Sequence, residues 1–245
     1  MLTALRPIAA TAIALACLAG ATKADTLRFA GHDFETKQGR GLGPGPNDWS
    51  DRQVRVDDRG RLHLALSKCD GRWLAGEVRS VERFGFGTYE IDVRVDIAGL
   101  DKNVVFGFFT YPTSDVGPDG TREIDVEFAR WGYPANKPLN FTVWPVKRSL
   151  AYGHRSFAFP QTTGLSRHRF VWSRTAVSYA SAEIRADGSL GPQTTWRFAP
   201  DGHGKRIGTD PMPVFFNLWG FRGRPPSDGR PVKVVVEAFR FTPEK

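Results

Sequence analysis

Residues 123–128 alternate acidic and apolar side chains without interruption. Successive side chains of a β-strand point to opposite faces, so Glu123, Asp125 and Glu127 would share one face. A helix would place the two glutamates at the repulsive i, i+4 spacing, and Ile, Val and Phe favour strands. The pattern therefore predicts a strand that presents three carboxyl groups on one face and apolar side chains on the other.

Three carboxyl groups on one face could perform acid–base and nucleophilic chemistry. The backbones of Glu123 and Glu127 would stand roughly 13 Å apart in a strand. Their side chains could lean together to about 5–5.5 Å, the carboxyl separation of retaining glycosidases. Because like charges at this range do not all ionise easily, we expect at least one pKa to rise, which would leave a general acid beside an ionised nucleophile. The alternative is a half-buried strand with a solvated acidic face.

The composition indicates one all-β domain. The chain has 245 residues, of which 40% are hydrophobic, and this is enough for a sizeable core. Its 26 Gly and 17 Pro suit many turns, and no stretch after residue 25 shows the apolar periodicity of a helix. The formal net charge of +8 is a weak indication of an anionic partner, and plain solubility is the commoner explanation.

Residues 1–24 are typical of a secretory signal peptide. Arg6 provides a positive charge, residues 8–18 are apolar but too few to span a bilayer, and Ala19-Gly20-Ala21 fits a cleavage site. Residues 25–245 would then form one secreted or periplasmic domain. No other segment is apolar for long enough to cross a membrane. We expect a monomer that binds no nucleic acid.

Short segments of apolar alternation, separated by turns, predict a sandwich of two β-sheets. Residues 54–56 and 62–66 indicate a hairpin, and residues 104–111 are apolar on both faces, as in a fully covered strand. The other predicted strands are residues 88–96, 139–144, 169–172, 176–180, 195–198, 214–219 and 232–241. A curved sheet in such a sandwich would offer a concave face that could hold an extended polymer.

Aromatic residues near the acids fit a sugar-binding site. The apolar face of a pyranose stacks on an aromatic ring while polar side chains bind its hydroxyl groups. The chain has seven tryptophans, and Trp131 and Trp144 flank the segment that follows the acids. For any single tryptophan, packing is the commoner role.

The sequence resembles glycoside hydrolase family 16, which contains lichenases, laminarinases, agarases and carrageenases. The resemblance covers most of residues 25–245 and centres on Glu123-Ile124-Asp125-Val126-Glu127-Phe128, the spacing without a bulge that lichenases have. Further blocks occur in the family's order. They are Gly76-Glu77-Val78-Arg79-Ser80, Phe84-Gly85-Phe86-Gly87-Thr88-Tyr89-Glu90, Gly107-Phe108-Phe109-Thr110-Tyr111 and Phe216-Asn217-Leu218-Trp219.

The resemblance implies a β-jelly-roll sandwich with a concave substrate cleft, and a retaining endo-β-glycanase that hydrolyses β-1,3/1,4-linked glucan through a covalent glycosyl-enzyme. Glu123 matches the nucleophile, Glu127 the acid/base, and Asp125 the residue that hydrogen-bonds the nucleophile. Glu77 and Arg79 match residues that bind sugars on the non-reducing side of the scissile bond. The remaining residues that match substrate-binding positions are Phe109, Tyr111, Asn140, Asn217 and Trp219.

The chain departs from lichenases near the acids. Thr121 and Arg122 stand where lichenases carry an aromatic residue and an acid, and Thr142 replaces an aromatic residue. Nearby basic residues leave open an acidic exopolysaccharide as the substrate, although a solvated basic rim explains them equally well. These residues are Arg122, Arg130, Lys147, Arg148 and Arg155.

Other chemistries and functions remain as alternatives. A carbohydrate-binding protein of the same fold would lack catalysis, and a transglycosylase would use the same residues with a sugar acceptor. The five histidines show no metal-ligand spacing, and no Gly-x-Ser-x-Gly elbow is present. We expect no cofactor. Some family members carry a structural calcium on the convex face, and Gly60 and Glu237 stand roughly where its ligands could come from.

Overall fold

A computed structural model describes residues 26–245, and the predicted signal peptide lies outside them. The described residues contain seventeen β-strands, one short helix, α1 (His203–Arg206), and two 3₁₀ turns at Asp51–Gln53 and Phe221–Gly223. The strands are β1 (Thr26–Phe29), β2 (His32–Thr36), β3 (Gly39–Leu42), β4 (Asn47–Trp49), β5 (Val54–Val56), β6 (Leu62–Cys69), β7 (Arg72–Phe84), β8 (Gly87–Arg94), β9 (Val104–Thr110), β10 (Ile124–Ala129), β11 (Leu139–Val143), β12 (Gly153–Phe157), β13 (Leu165–Trp172), β14 (Val177–Glu183), β15 (Thr194–Phe198), β16 (Met212–Gly220) and β17 (Val232–Pro243).

Two antiparallel layers account for most of the strand pairing. The cleft sheet has the order β1-β2-β7-β16-β9-β10-β11-β12. The outer sheet has the order β5-β6-β17-β8-β13-β14-β15. The β6–β7 hairpin joins the two sheets, and β3 and β4 extend the pairing at the start of β7. The predicted all-β, two-sheet sandwich is confirmed.

The core lies between the two sheets and is rich in aromatic rings. Phe141 of the cleft sheet stacks on Tyr179 of the outer sheet, with ring centroids 4.6 Å apart. Ile124, Val126 and Phe128 of β10 are fully buried in this core. Each such side chain stabilises the fold by about 1.5–3 kcal/mol. Their burial fixes the register of β10, so the acidic residues between them must face the other side of the sheet.

Several predicted strands have their expected places. The hairpin of residues 54–56 and 62–66 is confirmed by the antiparallel pairing of β5 with β6. Every residue of β9 is buried, as predicted for a strand that is covered on both faces. The prediction missed β1, β2, β3, β4, β7 and β12. In β7 the core face includes Gly76 and Ser80, and the opposite face includes Glu77 and Arg79, so the apolar alternation is interrupted where the strand forms the cleft.

Among residues 26–245, no helix has the length and apolar character needed to cross a membrane.

Candidate active site

The three predicted acids lie at the centre of the cleft sheet. Glu123 immediately precedes β10, while Asp125 and Glu127 belong to it. Asp125 pairs with Phe109 on β9 and with Thr142 on β11. Because the core side chains of β10 alternate with these acids, one strand both anchors the sheet and presents the carboxyl groups to the concave face.

Gly107 makes room for the polar groups next to Glu127. It pairs with Glu127 on one side and with Asn217 of β16 on the other. A Cβ atom at position 107 would come within 2.6 Å of Asn217 Oδ1 and 3.1 Å of the Phe109 ring. Glycine therefore permits a close approach at the floor of the cleft that a larger residue would prevent.

The first cavity beside the acids, which we call the Glu77 cavity, has a volume of about 580 Å³. Five of the predicted substrate-binding residues line it: Glu77, Phe109, Tyr111, Asn217 and Trp219. Lys37 Nζ lies 3.0 Å from Glu77 Oε1, and Asn217 Nδ2 donates to Glu77 Oε2 over 3.1 Å. Both oxygens of the Glu77 carboxylate are therefore held in place.

Arg79 lies in an adjoining cavity rather than in the Glu77 cavity. This second space is shared with Lys37, Glu77 and Phe215. Arg79 forms an ion pair with Glu35 at its far end. The predicted pair of Glu77 and Arg79 thus lies on one side of the acids, with Arg79 farther along the cleft.

A further cavity, which we call the aromatic cavity, lies on the β11–β12 side of the acids and has a volume of about 350 Å³. Its walls are Glu123, Asp125, Glu127, Trp131, Thr142, Trp144, Tyr152 and His154. Glu123 and Glu127 line both this cavity and the Glu77 cavity. The acids therefore stand at the junction of two spaces that lie on either side of β10.

The structure places Asn140 differently from its prediction as a substrate-binding residue. Its side chain is fully buried and lines neither the Glu77 cavity nor the aromatic cavity. The Nδ2 group donates to two backbone carbonyl groups, at 2.9 and 3.1 Å. Its Oδ1 accepts hydrogen bonds from Ser156 Oγ and Trp131 Nε1. Asn140 thus supports the wall of the aromatic cavity from behind, because all its polar atoms are bonded to protein.

Burial and mutual repulsion shift the ionisation of the three acids. Burial raises the pKa of Glu123 to about 8, and the charge of Glu127 acts in the same direction, while a hydrogen bond with Asp125 opposes the shift. Burial and the neighbouring Glu123 raise the pKa of Asp125. Burial and the neighbouring Asp125 raise the pKa of Glu127. The three carboxyl groups therefore do not all carry charge at neutral pH.

The Asp125 carboxyl group has two hydrogen-bond partners. Trp144 donates to one of its oxygens, and the other oxygen can share a proton with Glu123. Trp144 Nε1 donates to Asp125 Oδ2 over 3.0 Å. Asp125 Oδ1 is buried and receives no hydrogen bond from a donor among the described residues. This oxygen is satisfied when it carries a proton and donates it to the Glu123 carboxylate. When one of these two carboxyl groups ionises, the hydrogen bond therefore favours the charge on Glu123 and the proton on Asp125.

The basic residues that follow or precede the acids in sequence do not line these cavities. Arg122 has a left-handed backbone (φ 63°), and its guanidinium donates to the carbonyl of Val146 over 3.2 Å. Arg130 donates to three backbone carbonyl groups, and Arg148 donates to a fourth. The only cations that line the Glu77 cavity and its neighbour are Lys37 and Arg79, within the described residues, and both are paired with acids.

Glu237, considered as a possible calcium ligand, does not fit that role in this structure. Its Oε1 accepts a hydrogen bond from Arg94 Nε over 2.8 Å, and Arg61 lies 3.8 Å from Oε2. Two guanidinium groups thus surround the carboxylate. Among residues 26–245, no group of three or more His, Cys, Asp or Glu side chains has an arrangement that could hold a metal ion. The absence of a cofactor stays a prediction.

Sequence reasoning missed several residues that line the cleft. They are Lys37, Asp119, Tyr152, His154 and Phe215. Only Phe215 had a clear signal, because it alternates with Asn217 and Trp219 on β16 and so shares their face. Lys37 follows the short strand β2, Tyr152 precedes the missed strand β12, and His154 lies in that strand. Their place in the cleft depends on strand pairing.

Comparisons with known proteins find beta-glucanases. No protein-family model matches the chain. The beta-glucanase of Paenibacillus polymyxa is 34% identical over 182 residues, which cover 71% of this chain and 65% of that relative. The beta-glucanase of Bacillus subtilis (strain 168) is 27% identical over 179 residues, which cover 71% of this chain and 64% of the relative. The chain thus spans slightly less than two thirds of the length of these curated relatives.

The fold is shared with a solved structure. The Bacillus licheniformis beta-glucanase superposes with a TM-score of 0.60 at 22% sequence identity, covering 86% of this chain and 92% of that one. This likeness confirms the jelly-roll-like sandwich that the resemblance implied.

Proposed function

We propose that this chain is an exported glycoside hydrolase, a retaining endo-β-glucanase that acts on a neutral β-1,3/1,4-linked glucan. The observation that carries the proposal is the position of Glu123, Asp125 and Glu127 at the junction of two cavities on the concave sheet. The names of the beta-glucanase relatives support the substrate class. Export rests on the signal-peptide pattern of residues 1–24.

The ionisation of the acids suits a two-step displacement. Glu127, whose pKa is raised, gives its proton to the glycosidic oxygen while the carboxylate of Glu123 attacks the anomeric carbon. The bond from that carbon to the leaving oxygen breaks, and a glycosyl ester forms on Glu123. Glu127 then takes a proton from water, which attacks the same carbon and releases Glu123. The proton on Asp125 stabilises the charge on Glu123 whenever that carboxylate is free.

The charges that line the cleft favour a neutral polymer over an acidic exopolysaccharide. Lys37 and Arg79 are paired with Glu77 and Glu35, and an anionic sugar in the Glu77 cavity would face Asp119, which forms no ion pair with another described residue. The basic residues that suggested an acidic exopolysaccharide as substrate donate to backbone carbonyl groups or do not line the cavities beside the acids. The acidic polymer is therefore the weaker candidate.

The test is a panel of neutral β-glucans and acidic exopolysaccharides, with soluble products identified by mass spectrometry. We expect oligosaccharides from a neutral glucan, with little change between low and high salt because few charges take part. Proton NMR of the first product should show the β-anomer, which reports retention. The matched control is Glu123→Gln, which should give no products.

Three outcomes would contradict this proposal. An α-anomer as first product would replace retention with inversion. Products from an acidic polymer alone, with a strong salt dependence, would restore the acidic substrate. Tight binding to a glucan without any products would instead indicate a carbohydrate-binding protein.

A further inference from the structure

The outward face of the outer sheet carries positive charge that the cleft lacks. Acidic residues outnumber basic ones in the lining of the Glu77 cavity. On the outer sheet, each of the outward-facing acids is bonded to an arginine, and these acids are Glu90, Asp92 and Glu237. Further cations on that face form no ion pair with another described residue, and they are Arg55, Arg169, Arg197 and Lys233. An anionic partner would therefore be attracted to this face rather than to the cleft.

Arg169 has no acidic partner although an acid lies directly opposite it. In the register of β8 and β13, Arg169 pairs with Glu90. The Glu90 carboxylate is bonded instead to Arg240, at 2.9 Å, and lies 3.5 Å from Arg167. Asp92 accepts hydrogen bonds from the same two arginines. The exposed guanidinium group of Arg169 therefore keeps its donors for a partner outside the chain.

Arg169 lines a cavity on this face, which we call the β14 groove and which has a volume of about 130 Å³. Its lining includes Arg167 and Arg169 of β13, Ala180 and Ala182 of β14, and Leu190 and Gln193 of the connection from β14 to β15. The alanine side chains are short, so β14 forms the floor of the groove. The groove is therefore a polar trough with arginines along one side.

A second arginine lies on the other side of β14. Arg197 of β15 pairs with Ser178, and its Nη1 group donates to Ser178 Oγ over 2.9 Å. Arg169 pairs with Ala180 on the opposite side of the same strand. The two arginines thus belong to strands on either side of β14, each about 4.8 Å from it. An anionic polymer that lies along β14 would meet a guanidinium group on both sides.

The chemistry of the groove fits a sugar that bears a carboxylate. A guanidinium group binds a carboxylate through two parallel hydrogen bonds, and the amide of Gln193 can bind hydroxyl groups. Among the described residues, no aromatic side chain lines the groove, so it offers no platform on which a nucleic-acid base could stack. Leu190 is the only large apolar side chain in the lining, whereas elements that bind a lipid surface bury a wide apolar face.

We propose that the β14 groove, together with Arg197, is a docking site for an acidic polysaccharide, which the chain binds through the carboxylate groups of the polymer. The site belongs to the outer sheet and not to the cleft sheet, so a bound polyanion leaves the cleft open. Docking would hold the chain on an acidic matrix while the cleft acts on a neutral glucan. The inference goes beyond the proposed function, because binding at this site does not require hydrolysis.

The experiment measures binding of the full chain to polygalacturonate by isothermal titration calorimetry. Fully methyl-esterified polygalacturonate is the matched ligand control, because it keeps the sugar chain and loses the carboxylate charges. We expect the charged polymer to bind at least tenfold more tightly than the ester. The difference should shrink in high salt, because charges at the surface are then screened.

The double variant Arg169→Gln/Arg197→Gln should bind polygalacturonate about tenfold or more weakly, because the hydrogen bonds that charged groups make to the polymer are lost. Arg224→Gln is the matched control. Arg224 is also exposed and forms no ion pair with another described residue, but it lies in the connection between β16 and β17. Its variant should stay within about twofold of wild type, and circular dichroism checks that both variants fold.

Several results would overturn this inference and leave the proposed hydrolase intact. Equal binding of polygalacturonate and its ester would show that carboxylates are not recognised. Unchanged affinity in Arg169→Gln/Arg197→Gln, or displacement of polygalacturonate by excess neutral β-glucan, would place the binding outside the β14 groove. Anionic phospholipid vesicles or single-stranded DNA that bind as tightly as polygalacturonate would overturn the assignment of an acidic sugar.

Discussion

Strands β8 and β10 both alternate acidic with apolar residues, but their acids have opposite surroundings. On β8, in the outer sheet, Asp92 accepts hydrogen bonds from Arg167 Nε and Arg240 Nη2, each 2.7 Å long. Glu90 accepts from Arg240 Nη1 over 2.9 Å. The acids of β10 in the cleft sheet are held by Trp144 and by one another, and no cation pairs with them among the described residues.

The pKa values follow these surroundings. Burial tends to raise the pKa of Asp92, but the hydrogen bonds from Arg167 and Arg240 outweigh it and the pKa is lowered. Burial raises the pKa of Glu123 to about 8 because no cation opposes it. A carboxyl group is thus ionised at neutral pH when it is paired with arginines on the outer sheet, and it titrates near neutral pH in the cleft sheet. Partners from distant segments, rather than the local sequence, decide which acids can do chemistry.

The largest expected effect is on catalytic activity, which should depend on the acids of the cleft sheet and not on those of β8. Glu123→Gln removes the proposed nucleophile and should lower kcat by about a thousandfold or more. Glu90→Gln, on the outer sheet, should stay within about twofold of wild type. Initial rates on the preferred glucan check this, with circular dichroism to confirm folding. Similar losses of kcat in both variants would contradict the distinction between the acids of the cleft sheet and those of β8.

The pH dependence of activity should follow the cleft acids alone. Because the pKa of Glu123 is raised to about 8, its ionised fraction increases with pH between 5 and 7. We expect kcat/KM to rise in this interval, by up to about tenfold per pH unit. Asp92→Asn should keep the same profile. A profile that is flat or falling between pH 5 and 7 would show that Glu123 ionises lower than its surroundings indicate.

The stability of the fold should depend more on Asp92 than on Glu123. Asp92→Asn leaves two arginines without their charged acceptor and should lower the free energy of unfolding at pH 7 by about 1.5–3 kcal/mol. Since the folded-state pKa of Asp92 is lowered, this contribution is present above its unfolded pKa and is lost as the pH falls through the folded value. Glu123→Gln removes a buried acid without a cation and should not destabilise the fold. Urea unfolding of the three proteins at pH 7 and pH 3 is the measurement, and a larger loss in Glu123→Gln would contradict this order.

A buried histidine between the sheets should affect only the pH dependence of stability. His168 lies between Ser166 Oγ and Ser181 Oγ, at 2.7 Å from each, and burial lowers its pKa to about 3. The unfolded chain binds a proton below about pH 6.5 and the folded chain does not, so stability falls as the pH drops from there toward 3. The slope contributed is at most about 1.4 kcal/mol per pH unit.

The corresponding variant is His168→Gln, which keeps a hydrogen-bonding side chain without the titration. Its urea-unfolding free energy should depend less steeply on pH between 6 and 4 than that of wild type. His203→Gln, on the short helix α1, is the control. An unchanged slope in His168→Gln would mean that His168 is protonated in the folded chain.

Local alternation was enough to predict part of the fold and of the site. The two faces of β10, the β5–β6 hairpin and the covered strand β9 were all predicted, because each depends on the chemistry of a few neighbouring residues. The strand β7 was missed because its cleft face carries Glu77 and Arg79 and its core face includes small residues. A strand that forms a polar cleft gives up the apolar pattern by which strands are recognised.

The positions of the other predicted site residues depend on the partners of their side chains. Asn140 was predicted in the cleft because it matches a substrate-binding position of the resembled family, yet it is buried behind the wall and hydrogen-bonds Ser156 and Trp131. Arg122 adjoins Glu123 in sequence, but its left-handed backbone directs the guanidinium to the Val146 carbonyl. Neither outcome could be read from neighbouring residues, because both depend on contacts that strand pairing and loops create.

Residues 123–127 alone were enough to predict that three acids share one strand face, since the alternation of side chains in a strand is a local property. Strand pairing placed these acids between two cavities, where no cation among residues 26–245 pairs with them, and it brought arginines to Glu90 and Asp92. The physical reason is that a carboxyl group's pKa depends on burial and on charges within a few ångströms, and strands far apart in the chain supply both.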